Sequence, residues 1–349
     1  MKSPVPNNAA PTTIVDVANS AGVSIKTVSR VINREPRVTA LTREKVLKAI
    51  EDLGYQRNMF ARGLRADKSL VLGLLYENPQ GDYPSDILHG ALSHCRESGY
   101  HLQVEVLRGR EMAAQTVRFL TETRLDGALL TPPVCDNQAV LEALERFDVP
   151  FVRISPNKPR TEERYIAIDD MSAGEALVDY LAALGHRRIG FIKGLPGHSA
   201  TRLRHAGYRR ALARCGAPYD PALVVNGRFD FESGVAGAAR LMTLPEPPTA
   251  IFASNDETAA GAISWAHDNG VRVPEDLSIC GFDGGTISRV VWPHLTTVRQ
   301  PIRDLGKEAV RTLIEFSASG DRKTAPLILP FELVIGRSTA DRRRRMRRA

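Results

Sequence analysis

The sequence predicts an α/β protein: an all-α helix-turn-helix head followed by two tandem doubly wound parallel-sheet lobes. Three observations carry this. The first ~60 residues show helical periodicity and no strand. From Ser69 onward, short apolar runs alternate with amphipathic stretches every ~25–35 residues, the signature of parallel strands joined by helical crossovers. The alternating part is about 270 residues long, large for one sheet and natural for two. The whole chain has 349 residues, which at roughly 100–200 residues per domain means two or three domains.

Taken in order, Thr13–Ser20 carries Ile14, Val17 and Ala18 on one side, and Ala21-Gly22-Val23 breaks it. Ser24 can N-cap a second helix to about Asn33, with Ile25, Val28, Val31 and Ile32 as its apolar face. Thr39 can cap a third helix ending near Leu53, with Leu41, Val46, Leu47, Ile50 and Leu53 inward, and Gly54 is a natural stop. The strand runs that follow are Leu70–Tyr76, Leu102–Leu107, Gly127–Leu130, Phe151–Ile154, Ile166–Ile168, Ile189–Ile192, Leu223–Val225, Ala250–Ala253 and Leu277–Phe282. The helices between them include Ser85–Ser98, Ala113–Thr123, Ser172–Leu184, Arg204–Cys215, Ser233–Met242 and Glu257–Asp268.

Composition narrows the function. The chain is 43% hydrophobic and 25% charged, which excludes collagen-like and wholly disordered proteins. Cys95, Cys135, Cys215 and Cys280 lie far apart without a CxxC pair, against a zinc ribbon or disulfide scaffold and in keeping with a reducing cytosol. Met1–Thr12 lacks the apolar run of a secretory signal, and no stretch reaches the ~18 apolar residues of a membrane span. The net charge of +7 is unevenly placed: residues 1–68 sum to +6, residues 341–349 to +5, and the rest to −4. A basic end on a mildly acidic body suggests a nucleic-acid-binding head, and the arginine tail reads as a solvated end.

In the head, helix, glycine turn and helix place the first residues of the second helix at base edges in a major groove. Ile25, Lys26 and Arg30 project outward; Lys and Arg can donate to guanine and Ile can meet a thymine methyl. Ser24, Thr27 and Ser29 are short donors suited to phosphate oxygens. The run Val15-Asp16-Val17-Ala18, Ala21-Gly22-Val23-Ser24, Thr27-Val28-Ser29-Arg30-Val31-Ile32-Asn33 resembles the LacI/GalR family of bacterial transcriptional regulators nearly residue for residue. Val38-Thr39, Thr42-Arg43-Glu44-Lys45-Val46-Leu47 and Leu53-Gly54-Tyr55 continue the match.

The resemblance implies a DNA-binding set of Ser24, Ile25, Lys26, Thr27, Ser29, Arg30 and Asn33, together with Asn58, Ala61 and Leu64 of a hinge helix. In that family two hinge helices meet in the minor groove and a leucine unstacks a base step; Leu64 stands at that position and Ala61 where the helices touch. Arg57 stands where the family commonly has proline. The body resembles the same family, and hence the periplasmic sugar-binding proteins, with a ligand between two lobes joined by three crossovers. The implied effector contacts are Tyr83, Arg204, Phe231, Asn255, Asp256, Asp283 and Gln300, carried by the Thr201–Tyr208, Ser254–Asp256, Gly281–Asp283 and Thr297–Pro301 segments. Asp256 could equally cap the helix that follows it. Pro84 and Ser155 depart from the family pattern.

The implied organisation is a disordered tail over 1–12, the head over 13–57, the hinge over 58–68, the body over 69–340 and a basic tail over 341–349. Lobe 1 takes about 69–169 and 300–325, lobe 2 about 170–299 and 326–340. No GxGxxG, GxxxxGK[ST], HExxH or GxSxG occurs, Ser93-His94-Cys95 face different ways on one helix, and the eight histidines are scattered, so an enzyme is not expected. No cofactor and no metal are implied. The expected partners are double-stranded operator DNA with a pseudo-palindromic site, a small-molecule effector and a second copy of the chain, with no membrane. A sugar or sugar derivative leads as effector, and a purine or another polar metabolite fits the same residues. The absence of leucine heptads at the C-terminal end points to a homodimer rather than a tetramer, and DNA as partner places it in the cytoplasm on the nucleoid.

Overall fold

The computed structural model describes residues 12–32, 35–55, 68–77, 81–160, 164–319 and 325–343, and the chain divides into a head ending at Lys68 and a body from Ser69. Asn33, Asn58, Ala61 and Leu64 lie outside the described residues, as do almost all of the expected hinge and both tails. Among the described residues no helix is long and apolar enough to cross a membrane.

The head is three helices, α1 (Ile14–Ala21), α2 (Ile25–Ile32) and α3 (Ala40–Asp52). Thr13 and Asp16 form a capping box at the start of α1: Asp16 Oδ2 accepts from the Thr13 amide at 2.8 Å, and Thr13 Oγ1 accepts from the Asp16 amide. These bonds hold the Asp16 carboxyl below its ordinary range. Gly22 ends α1 in the left-handed region (φ 64°), where a side chain would be strained even though nothing crowds it. Ser24 Oγ accepts from the Thr27 amide at 3.2 Å and so starts α2, as expected.

The head core is Val17, Ala18, Val28, Val31, Val46 and Ala49, with Ile14, Ile50 and Tyr55 against it. Leu41 and Leu47, expected inward, are 67% and 52% exposed, and Leu53 is also exposed. At about 100° per residue, Leu41 and Leu47 stand ~140° and ~100° round α3 from Val46. Leu53 is the C-cap, past the last turn.

The body has two six-stranded sheets. The chain runs β1 (Val71–Tyr76), α4 (Asp82–Ser98), β2 (His101–Val106), α5 (Met112–Glu122), β3 (Gly127–Leu130), α6 (Gln138–Arg146), β4 (Phe151–Ile154) and β5 (Tyr165–Ile168). It crosses to α7 (Asp170–Ala183), β6 (Ile189–Ile192), α8 (Ser199–Arg214), β7 (Val224–Val225), α9 (Phe231–Met242), β8 (Ala250–Ala253), α10 (Asp256–Asp268), β9 (Ser278–Asp283), α11 (Ile287–Val290) and β10 (Thr296–Arg299). It ends with α12 (Ile302–Ser319), β11 (Leu327–Leu329) and β12 (Glu332–Val334). The sheet orders are β11-β5-β4-β3-β1-β2 and β12-β10-β9-β8-β6-β7.

Two expectations are corrected here. Leu327, Ile328 and Leu329 pair in parallel with Ile166, Ala167 and Ile168, so lobe 1 continues past residue 325 and the last crossing falls between β11 and β12. The second sheet is not wholly parallel: β12 runs antiparallel to β10 at its edge. The strands β10 to β12 and the helices α6 and α12 were not delimited by apolar periodicity alone; β11 and β12 are three residues each, too short to show a period.

Helices cover both faces of each sheet, which is why the strands read as continuous apolar runs. In lobe 1, α4 and α12 pack against each other and α5 and α6 cover the opposite face. The α4–α12 crossing depends on two glycines: a Cβ on Gly90 would sit 1.8 Å from the Arg303 carbonyl oxygen, and one on Gly306 2.2 Å from that of Ile87. In lobe 2, Phe191 stacks on Tyr208 and meets Phe252 at a tilt, with ring centroids 5.2 and 4.8 Å away. His186 is buried, its ring nitrogens within hydrogen-bonding distance of Thr249 Oγ1 (2.9 Å) and the Ala340 carbonyl (3.2 Å), a structural role that ties the C-terminal segment to the sheet.

Candidate functional site

The strand ends of both lobes face one cavity of about 360 Å³. Lobe 1 contributes Tyr83 on α4, Thr131 after β3 and Ser155 after β4. Lobe 2 contributes Asp170 and Arg204 on α7 and α8, Phe229 before α9, Asn255 and Asp256 at α10, Asp283 at the end of β9 and Gln300 after β10. This placement follows from the fold: loops at the carboxyl ends of parallel strands are the ligand-facing edge of doubly wound sheets.

Arg204 is the centre of the charged floor and is 4% exposed. Its Nε donates to Asp170 Oδ1 at 2.8 Å, its Nη1 donates to the Ser254 carbonyl, and Nη1 lies 3.8 Å from Asp283 Oδ1. The guanidinium carbon stands 3.5 Å above the Phe282 ring, so the planar cation is stacked as well as paired. Asp283 has φ 111°, a strained backbone that turns its carboxylate toward Gln300, whose Nε2 donates to Oδ1 at 2.7 Å.

Burial pushes the Asp283 carboxyl up to about 7, against the opposing pull of Arg204 and Gln300. Burial and the neighbouring Asp283 raise Asp256 well above the ordinary range too. A carboxyl that holds its proton better in the folded than in the unfolded protein favours folding below its unfolded pKa and loses that contribution as pH rises through the folded one. Without ligand, body stability is expected to fall between about pH 4 and 7 on this account, with Asp283→Asn flattening the profile. Urea midpoints across that range check it, and an unchanged slope in the variant would remove Asp283 as the source.

The residues expected to bind an effector divide into three groups. Tyr83, Arg204, Asp283 and Gln300 line the cavity. Tyr83 bonds to the Ser155 side chain, and burial keeps its phenol protonated. Asn255 and Asp256 also line it, but their polar atoms are spent on the protein. Asn255 Oδ1 caps α10 by accepting from the Thr258 amide at 3.0 Å, and its Nδ2 donates to the Phe229 carbonyl at 2.9 Å. Asp256 accepts from the Thr297 hydroxyl at 2.7 Å and the Gly285 amide at 3.0 Å. The capping role therefore falls to Asn255, and Asp256 ties β10 to the loop after β9.

Phe231 is the one expected contact absent from the lining. It is the first residue of α9, capped by Asp230, and is 41% exposed. Phe229 lines the cavity instead: its left-handed backbone (φ 64°) seats the ring over Gly194, where a Cβ would be 1.9 Å from the ring. His198 packs against it, centroids 5.6 Å apart, and burial lowers the imidazole's pKa. Thr131, Asp170, His198 and Phe229 were all missed from the sequence. Asp170, two residues past the Tyr165–Ile168 strand, stands at a strand end as Asp283 does.

Contacts also join the two walls. Ser199 Oγ donates to the Ser155 carbonyl at 2.7 Å, Arg202 Nε to Asn157 Oδ1 at 3.0 Å, and the Thr286 amide to Asp82 Oδ2 at 2.7 Å.

In the head, Ser24, Ile25 and Lys26 are exposed at the start of α2, Thr27, Ser29 and Arg30 are half-buried, and Val28 and Val31 face the core. Ser24 and Thr27 hydroxyls bond to each other at 2.9 Å. Arg30 Nε lies 3.6 Å from Glu35 Oε2, a surface pair that leaves the guanidinium accessible.

Comparison with known proteins converges on one family. Residues 13–58 match bacterial regulatory proteins of the lacI family, and residues 178–339 match the periplasmic binding protein-like domain. The chain is 33% identical to the HTH-type transcriptional regulator DegA of Bacillus subtilis (strain 168), over 94% of this chain and 98% of that one. A lac repressor dimer bound to operator and the anti-inducer ONPF superposes with a TM-score of 0.78 at 30% identity, over 95% of this chain and all of that one. The transcriptional regulator CelR in complex with cellobiose gives 0.73 at 30% identity, over 94% and 99%. Sequence likeness along almost the full length, the head motif and the two-lobed body together establish that this chain belongs to the lacI family of bacterial regulatory proteins, DNA-binding transcriptional regulators rather than enzymes.

Proposed function

We propose that the chain is a repressor that reads a pseudo-palindromic operator as a homodimer and is controlled by a sugar or sugar derivative in the cleft between its lobes. The single observation that carries the effector reading is unsatisfied hydrogen-bonding capacity in the cavity. Among the described residues, the Thr131 hydroxyl, Gln300 Oε1 and Arg204 Nη2 have no hydrogen-bond partner, yet their residues are 5%, 6% and 4% exposed. Polar atoms that open onto a cavity without a protein partner are available to a ligand there, and a polyhydroxylated one supplies both donors and acceptors. A thermal-shift screen of sugars and nucleosides, repeated with operator-binding isotherms, tests it. A ligand at 100 times its dissociation constant should stabilise the body by about 2.7 kcal/mol and change operator affinity. Stabilisation without any change in operator affinity would overturn the regulatory reading. A protein that acts on operator DNA belongs in the cytoplasm, on the nucleoid.

The dimer is supported by an exposed apolar patch on lobe 2. Val290, Trp292 and Ile335 are 74%, 60% and 64% exposed, and Arg337, two residues after Ile335, stacks on Trp292 and bonds through its amide to the His294 carbonyl. Light scattering should give two protomers per particle; a mass near four refutes this reading. The proposed hinge rests on the sequence resemblance. Leu64→Ala should leave non-specific binding, which phosphate contacts supply, nearly intact and lose the operator bend. A bend angle equal to wild type would make residues 58–68 a passive tether.

A further inference from the structure

The charge of the effector cavity is lopsided. Seven carboxyl side chains and two arginines line it, and both arginines already face acids, Arg204 at Asp170 and Arg228 Nε 3.6 Å from Asp230 Oδ2. The floor acids Asp170, Asp256 and Asp283 have protein donors. The mouth differs. Glu257, half-buried in the first turn of α10, reaches the opposite lobe, where the Asp82 amide donates to it and a Cβ on Gly81 would lie 2.7 Å from its Oε1. Asp82 in turn accepts from the Thr286 amide. Among the described residues neither Glu257 nor Asp82 has an ion-pair partner, and burial, then Asp82, Asp230 and Glu232, push the Glu257 carboxyl up. A half-buried carboxylate with other acids close by is disfavoured as an anion, and a cation beside it relieves both the repulsion and the desolvation.

Two further features of the lining bear on the shape of a ligand. Thr131 and Gln300, both more than nine-tenths buried, present an unpartnered hydroxyl and carbonyl oxygen to the same cavity. The Phe229 ring offers a flat apolar wall beside them. Among the described residues no three His, Cys, Asp or Glu side chains are grouped to hold a metal ion.

Building on the effector reading above, we propose that the cleft ligand is an aminated sugar whose ammonium group sits between Glu257 and Asp82 at the mouth, and that phosphorylated sugars are excluded. A phosphate would bring up to two more negative charges against acids that have no cation to spare. An ammonium donates up to three hydrogen bonds, matching the carboxylate oxygens at the mouth. The sugar hydroxyls meet Thr131, Gln300 and Arg204.

Isothermal titration of the full chain at pH 7 and one stated salt concentration decides it, using glucose, galactose and mannose, their 2-amino-2-deoxy forms, the N-acetylated forms and the 6-phosphates. An aminated sugar should bind about tenfold or more tighter than its neutral and N-acetylated counterparts, and the 6-phosphates should not bind. Glu257→Gln should bring aminated and neutral forms to within about twofold, and Asp82→Asn should narrow the gap in the same direction. Equal binding of neutral and aminated forms, binding of a 6-phosphate, or an unchanged preference in a folded Glu257→Gln protein each overturns the proposal. A phosphorylated sugar, or a neutral one as tight as its aminated form, that binds wild type but not Arg204→Ala would overturn it while leaving the cleft as a sugar site. No binding by any of the twelve would overturn both.

Discussion

Replacing Arg204 by alanine is expected to destabilise the body by about 3–5 kcal/mol and to abolish effector binding. The side chain is the cation that answers Asp170 and Asp283, and it bonds to the Ser254 carbonyl as well. Removing it leaves two carboxyls facing each other at low exposure, with a void over the Phe282 ring. Coulomb repulsion and lost packing then add in the same direction. Arg204→Lys should recover only part of the loss, because an ammonium cannot stack flat on Phe282 while reaching Asp170 and Ser254 together. The loss should shrink at pH 5, where Asp283 takes up a proton and no longer needs a cation. Urea unfolding at pH 5 and pH 8 measures this; a loss under about 1 kcal/mol at pH 8 would mean that the floor does not depend on Arg204.

The second large effect lies in the head. Lys26→Ala and Arg30→Ala should each cost about 1–3 kcal/mol of operator affinity, nearly additively if they touch separate bases or phosphates. Head stability should scarcely move. Lys26 is exposed, and Arg30 carries only the Glu35 pair at 3.6 Å, a surface contact of little worth. Titrations at several salt concentrations separate the two roles. A lost phosphate contact weakens all sequences alike and reduces the salt slope by about one, whereas a lost base contact relaxes preference at one position. Wild-type affinity in the double variant would move the reading surface away from α2.

How much of this was legible in the sequence depends on how local the cause is. The starts of α2 and α3 were, because Ser24 and Thr39 cap through amides three residues away. The inward face of α3 was only half legible. Its side is set by α1 and α2, so Leu41 and Leu47 passed for core until those helices were in place. Most strand runs from Leu70 to Phe282 were legible to within a residue or two, since strands covered on both faces must be apolar at every position.

The site divides along the same line. That Arg204, Asp283 and Gln300 would meet in a cleft was readable from motif and strand-end position. What each polar atom has left for a ligand was not. Asn255 looks like a ligand contact until its amide is seen spent on Thr258 and Phe229, and Asp256 until Thr297 and Gly285 are seen holding it. The aromatic wall fell to Phe229 rather than Phe231 because Asp230 caps α9 and sends Phe231 to the surface.

By itself, then, the sequence determined the helical head with its capped α2, the alternation that makes two covered sheets, and the family motif. These follow from neighbours a few residues apart. Tertiary structure alone decided that Leu327–Leu329 joins lobe 1 beside Ile166–Ile168, that Arg204 is paired with Asp170, and that Glu257 faces Asp82 across the cleft. In each case the partner is distant in sequence, and a side chain's hydrogen-bonding capacity and charge balance exist only once that partner has been packed against it.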